Sequence, residues 1–239
     1  NRVMKKLVVY TALFTDDINY VHGILPEYEN IEGVDFICFT NTPYLTSDTW
    51  DIKLTKLDGG GRITARKYKT LSHNYLPEYD GWIWMDNSCI FNYNPIDLFN
   101  YYIEGYDIAV HEHCDRINIK EEATILIERN LDNTLTIQNQ IKDYYNNGYQ
   151  DQGLYETGIL MRKNNNKVIK FNESWWGEIK EKSIRDQLSF PYVMWLEDDV
   201  KVNAIKETFV AHNYQLNKKQ SKHFYTIPRQ RIKLMENNT

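Results

Sequence analysis

Gly81-Trp82-Ile83-Trp84-Met85-Asp86-Asn87-Ser88 is the stretch that decides the fold class. A run of large apolar residues passes without interruption into an acid and a turn. Such a run reads as a strand buried on both faces, the mark of a parallel sheet covered by helices. Working outward, Lys6–Phe14 is a second strand of this kind, closed by Thr15-Asp16-Asp17, and Val34–Thr40 a third, stopped by Asn41-Thr42-Pro43. A short strand is expected at Trp50–Leu57, after which Asp58-Gly59-Gly60-Gly61 breaks the chain. Helix formers then fill Thr64–Tyr75. Asn94 caps a short helix over Pro95–Tyr102, a strand follows at Tyr106–His111, and a long helical region runs from Glu121 to Tyr145 until Gly148 stops it. Strand Gly158–Arg162 and a helix from Ser183 to about Tyr192 complete the regular part. Alternating strands and helices predict an α/β fold, a mostly parallel central sheet flanked by helices.

The 239 residues carry 28 Lys+Arg against 33 Asp+Glu, a net charge of −5, which argues against a nucleic-acid partner. An apolar fraction of 42% excludes wholesale disorder. The longest apolar stretch, Leu7 to Phe14, is far short of the roughly 20 residues that cross a bilayer, so no transmembrane segment is expected. Cys38, Cys89 and Cys114 are odd in number and scattered, which reads as reduced thiols in a cytoplasmic protein. The 18 Tyr and 6 Trp suit a surface that meets sugars or bases, and an AT-rich coding sequence would explain the Tyr equally well. One domain is expected over residues 1–217. Residues 218–239 differ in charge, with Lys218, Lys219, Lys222, Arg229, Arg231 and Lys233 and no acid from 218 to 233. They read as a basic tail, or a linker to a further module of a larger polypeptide, in keeping with a start at Asn1. A second reading makes them a cationic segment folded over a phosphate-bearing ligand.

Three constellations carry chemistry. An acid at the C-terminal end of a central parallel strand sits where open α/β sheets bind ligands. Asp86 and Ser88 can therefore hold a metal–diphosphate, although Asp-Asn-Ser is also an ordinary turn. Arg62, Arg66, Lys69 and His73 fall within about 60° of arc on an ideal helix. That stripe is either a solvated face or a cationic wall for phosphate. Of the adjacent Trp175 and Trp176, one reads as core and the other as a ring on which a sugar stacks. Arg185-Asp186-Gln187 opens a helix, where it either presents carboxylate and amide into a cleft or simply suits the first turn. His111-Glu112-His113-Cys114 lacks a second ligand pair at zinc spacing, and Glu197-Asp198-Asp199 reads as a solvated loop.

Taken in order, Val8–Ala12, Cys38–Thr40, Ala65–Lys69, Trp84–Asp86, Gly153–Gly158, Trp175–Ile179 and Arg185–Phe190 resemble the TOD/MUCI glycosyltransferase-like domain family, from about Val8 to Val193. The resemblance implies a GT-A type glycosyltransferase, in which a Rossmann-like nucleotide-binding half joins an acceptor half. It implies Mn²⁺ or Mg²⁺ on an Asp-x-Asp motif, here Asp86-Asn87-Ser88, so that Ser88 or a water takes the second place and His212 could supply a third ligand. Thr11, Ala12 and Asn41 would line the nucleoside pocket, Arg62, Arg66 and Lys69 would approach the diphosphate, and Gly158 and Glu156 would border the acceptor, with Trp175, Trp176 and Gln187 nearby.

The expected reaction moves a sugar from a nucleotide-sugar donor to a glycan or glycoprotein acceptor. Asp186 is the first choice for the base and Glu156 the second. In a retaining enzyme Asp186 or Gln187 would instead stabilise an oxocarbenium-like state. The rivals are a metal-dependent hydrolase of the ceramidase type, since a plant branch of the family is linked to ceramide cleavage, and a non-catalytic nucleotide-sugar or glycan binding module. Polar Asn- and Tyr-rich loops argue against an acyl groove.

Overall fold

The computed structural model describes residues 6–23, 25–210 and 218–234. Seven strands form the main sheet: β1 (Leu7–Leu13), β2 (Val34–Thr40), β3 (Asp51–Leu54), β4 (Gly81–Met85), β5 (Ile108–Glu112), β6 (Tyr155–Lys163) and β7 (Val202–Ile205). Their spatial order is 3-2-1-4-6-5-7. β6 runs antiparallel to both neighbours and every other pairing is parallel. The longer helices are α1 (Gly61–Thr70), α2 (Pro95–Ile103), α3 (Ile119–Glu128), α4 (Thr134–Asn146), α5 (Asn166–Glu181) and α6 (Asp186–Leu196), with a single helical turn at Ser72–Tyr75 after α1.

Alternation along β1 splits its side chains between two cores. Leu7, Val9 and Leu13 join Phe36, Leu98 and Phe99 on one face, while Val8, Tyr10 and Ala12 join Phe171, Trp175 and Phe190 on the other. Burial on both faces explains why these strands lack polar alternation. Asparagine starts most of the helices: the side chains of Asn94, Asn118, Asn133 and Asn165 each accept an amide of the first turn. Two of these caps correct the single helix expected from Glu121 to Tyr145. The chain leaves α3 at Arg129, Asn130 takes φ 50°, and Asn133 opens α4. Asn tolerates the left-handed region and also caps well, so a local preference overrides the helical run.

The basic segment lies on the domain body. Lys219–Gln220 pairs with Glu207–Thr208, Phe224–Thr226 with Cys89–Phe91, and Arg231–Lys233 with Tyr20–His22. Among the described residues no helix is long and apolar enough to cross a membrane. Cys38, Cys89 and Cys114 are free thiols, all buried.

Candidate active site

β4 delivers Asp86 to the C-terminal edge of the parallel strands, and its amide donates to the Gly158 carbonyl at 2.7 Å. β6 is bulged at this point: Val110 faces Leu160, yet His111 faces Glu156. Bulges re-aim side chains beside functional sites. Here a Cβ on Gly158 would stand 3.4 Å from Asp86 Oδ2, while Thr157 reaches Asp186 instead, its hydroxyl donating to Oδ2 at 3.0 Å. Asp86 Oδ1 accepts the Trp84 indole N–H at 2.8 Å, and Oδ2 lies 3.5 Å from Arg229 Nη2. Arg229 Nε also donates to Ser88 Oγ at 3.4 Å. The guanidinium is held from two sides, because Ile227 N donates to the Ser88 carbonyl and Gly23 N to the Gln230 carbonyl, both at 2.9 Å. Residues 227–230 thus form a strap across the Asp86-Asn87-Ser88 turn.

Below the strap lies a buried ion pair. Lys69 is 1% exposed, and its Nζ donates to Asp186 Oδ2 at 2.6 Å and Thr157 Oγ1 at 3.1 Å, 3.7 Å from Asp86 Oδ1. Arg66 Nη2 stands 3.5 Å from Asp186 Oδ1. Burial alone would raise the Asp186 carboxyl, but attraction from Arg66, Lys69 and Arg185 outweighs it and holds the group well below the usual carboxylate range. Burial lowers the Lys69 ammonium, opposed by Asp186 and Asp86.

Arg162 on β6 locks the helix that carries Lys69. Its fully buried guanidinium donates to the carbonyls of Lys69 (2.7 Å) and Thr70 (3.2 Å), to Asn172 Oδ1 (2.6 Å) and to the Tyr10 hydroxyl. A cation at the orphan carbonyls of a helix C-terminus satisfies them and complements the dipole. Arg162→Met would take the donor from the buried Thr70 carbonyl and Asn172 Oδ1, while the Lys69 carbonyl keeps the Tyr10 hydroxyl, and is expected to destabilise the fold by about 3–5 kcal/mol, read from urea unfolding midpoints.

Glu156 occupies different ground. Its Oε1 accepts from the Cys114 thiol at 3.3 Å and lies 3.2 Å from His113 Nε2, while Oε2 accepts from Gln187 Nε2 at 3.1 Å. Burial raises its pKa. With Arg116, Arg129, Arg185 and Gln187 it lines a cavity of about 400 Å³. His113, Cys114 and Glu156 offer ligand atoms within 4.8 Å of one another, but the group does not suit a metal. His113 Nδ1 accepts the amides of Asp115 and Arg116, and the Arg116 guanidinium stands 2.8 Å from Nε2. Burial and then Glu156 push the Cys114 thiol up. His111 is sealed between Phe209 and Phe224, with both ring nitrogens unpartnered among the described residues and its pKa lowered by burial to about 3.

Several expectations need correction. Trp175 is 0% exposed, packs edge-on against Phe190 and donates its indole N–H to the Asp186 carbonyl, so it cannot stack on a sugar. Trp176 is half-buried against the same core. The cationic stripe divides because α1 ends at Thr70: His73 leaves it and sits 3.6 Å from Glu173, and Lys69 turns inward. Arg62 and Arg66 keep the outer edge, where partial burial and then repulsion from Arg185 and Arg66 lower the Arg62 pKa. Asn41 is committed to the loop after β1, accepting the Thr15 amide and donating to the Thr15 carbonyl. Thr11 and Ala12 are buried, and the Thr11 hydroxyl has no partner among the described residues. His212 lies outside the described residues.

Among the described residues, the donors at Asp86 do not suit Mn²⁺ or Mg²⁺. Such ions take several oxygen ligands, carboxylates foremost. Here one carboxylate and the Ser88 hydroxyl are each approached by Arg229, with Lys69 behind. Among the described residues, Arg66, Lys69 and Arg229 outnumber the two acids they contact, Asp86 and Asp186, a balance that favours an anion over a divalent cation. Arg162 and Thr157 were not foreseen from sequence, and Arg229 was foreseen only as one charge of a cationic segment folded over a phosphate-bearing ligand. The one available signal was a charge, Arg162, ending the apolar run Ile159-Leu160-Met161.

A family model described as TOD1/MUCI70, glycosyltransferase-like domain, matches residues 59–223, which include Asp86, Glu156 and Asp186. The chain belongs to this family. In this TOD1/MUCI70 domain the match runs from the glycines before α1 to the strap ribbon at His223, while β1 to β3 precede it. No curated protein matches the sequence. Among solved structures, apo mouse xyloside xylosyltransferase 1 superposes with a TM-score of 0.51 over 92% of this chain and 96% of that chain, at 8% identity. At that identity the likeness is one of fold: a large, mostly parallel sheet flanked by helices, similar to a glycosyltransferase structure.

Proposed function

We propose that the TOD1/MUCI70 domain transfers a glycosyl group from a nucleoside diphosphate sugar to a hydroxyl of a glycan or glycoprotein. The observation that carries this reading is that chain neighbours, Glu156-Thr157 on β6 and Asp186-Gln187 on α6, join a cation-rich corner to a carboxylate that lines a cavity. Arg66 and Arg229 supply the corner, and Glu156 lines the cavity. In the transfer, the bond between the sugar's anomeric carbon and the diphosphate oxygen breaks and its electron pair leaves with the diphosphate. The acceptor oxygen bonds to that carbon and gives its proton to Glu156. Charge stabilisation on the leaving group is the larger contribution, and the base adds to it.

Glu156 is preferred to Asp186 for the base on physical grounds. Asp186 is 4% exposed, neutralised by Lys69 and Arg66, and held at low pKa, all of which weaken it as a proton acceptor. It serves as the anchor of Lys69. A second reading of the stereochemistry rests on Gln187. Its amide nitrogen is tied to Glu156 Oε2, and the pair together could face an oxocarbenium-like centre in a retaining reaction.

Calorimetric titration with a panel of nucleotide sugars, followed by NMR of the product anomer, tests both. Binding with slow donor hydrolysis supports transfer. An inverted product assigns the proton to Glu156, and a retained one assigns the Glu156–Gln187 pair to the second role. Binding without turnover would favour a non-catalytic module, and absence of binding a hydrolase.

A further inference from the structure

We propose that this site binds the nucleoside diphosphate and neutralises its departing charge without a divalent cation, and that Arg229 on the strap is the group that does so. The inference rests on the transferase reading above. It starts from the disagreement between the acid at the end of β4 and what surrounds it. A carboxylate that holds a metal has lone pairs facing an open, electronegative space. Asp86 instead has an indole N–H on Oδ1 at 2.8 Å, an ammonium 3.7 Å from the same oxygen and a guanidinium 3.5 Å from Oδ2. Ser88, the other oxygen of the motif, is reached by that same guanidinium at 3.4 Å.

The two cations differ in access. Lys69 is buried and shared with Asp186, so it acts from beneath as a fixed charge. Arg229 is 60% exposed, with one nitrogen turned to Asp86, one to Ser88, and the rest of its planar fork open to solvent. A guanidinium binds phosphate oxygens through two parallel N–H donors, which a carboxylate-anchored arginine presents ready oriented. Arg66 stands 3.5 Å from Asp186, the acid that shares Lys69 with Asp86, so a second guanidinium adds to the positive charge an entering diphosphate meets. The acid then positions an arginine, in place of the usual pairing of acid and metal.

Calorimetry on the full chain, with UDP, GDP and ADP as probes, tests this in EDTA and in excess Mn²⁺. Electron paramagnetic resonance of Mn²⁺ without nucleotide provides a readout independent of any ligand. The expected result is one diphosphate bound with the same affinity, within about twofold, in both buffers, and free-ion Mn²⁺ spectra from the wild-type protein. Arg229→Ala, a solvent-facing change whose folding circular dichroism checks, should weaken that diphosphate about 10- to 100-fold, the loss of a charge-assisted contact. Arg229→Lys should restore part of it. Diphosphate binding that requires Mn²⁺, or an Mn²⁺ signal that Asp86→Asn removes, overturns the proposal and leaves the transferase reading standing. Metal-free binding that Arg229→Ala leaves unchanged also overturns it. If no diphosphate binds in either buffer, the transferase reading falls and this proposal with it.

Discussion

Glu156→Gln is expected to lower kcat by about 10²- to 10⁴-fold, the usual range for a positioned proton acceptor, with nucleotide affinity unchanged. Glutamine keeps the size of the side chain and its carbonyl still accepts from Cys114, so a merely structural role would predict little change. The pH profile provides the sharper test. A base must be deprotonated to act, and burial raises the Glu156 pKa above the ordinary 4.5. Activity of the wild type should therefore fall with decreasing pH along a limb centred above 4.5, and the variant should lose that limb. A limb that survives in Glu156→Gln would assign it to another group and remove Glu156 from proton transfer.

Lys69→Met is expected to destabilise the protein by about 3–5 kcal/mol, because it strands a buried carboxylate. Asp186 would keep only the Arg66 contact at 3.5 Å and the Thr157 hydroxyl. The double variant Lys69→Met/Asp186→Leu should recover much of the loss, since an apolar pair of similar volume often replaces a buried ion pair at little cost. Denaturant midpoints measured for the single and double variants decide this. A double variant as unstable as the single one would show that Asp186 was not the stranded group. The pH dependence follows from the direction of the shift. The folded pKa of Asp186 is depressed, so its stabilisation is present above the unfolded value near 3.8 and is lost only as pH falls through the lower folded value. Wild type should accordingly keep this contribution at pH 4.

The parts of the fold that were legible were those written in burial. Leu7–Leu13, Val34–Thr40 and Gly81–Met85 are strands because they are apolar on both faces, and the sequence carries that directly. α5 passed unrecognised, because Asn165, Asn166, Asn172 and Glu173 make Asn166–Glu181 look like a polar loop. Its apolar stripe of Val168, Phe171, Trp175 and Ile179 is nevertheless helical in spacing. β7 was missed as well, being short and only half-buried. At the candidate site, Asp86, Lys69, Asp186 and Arg66 form one linked set and Glu156 and Gln187 another, joined through the adjacent Asp186 and Gln187. What sequence could not reveal was which acid is neutralised: Lys69 and Asp186 are separated by 117 positions, and Arg229 and Asp86 meet only because two ribbons fold back.

Those ribbons also impose an order on assembly. Tyr20 pairs with Lys233 and Phe91 with Phe224, contacts of very long sequence separation, and such contacts form late because they require large loops to close. A nascent chain could complete its central sheet on the ribosome while Asp86 still lacked Arg229. Chemical competence would then arrive only when residues 224–233 dock, after the central sheet is in place.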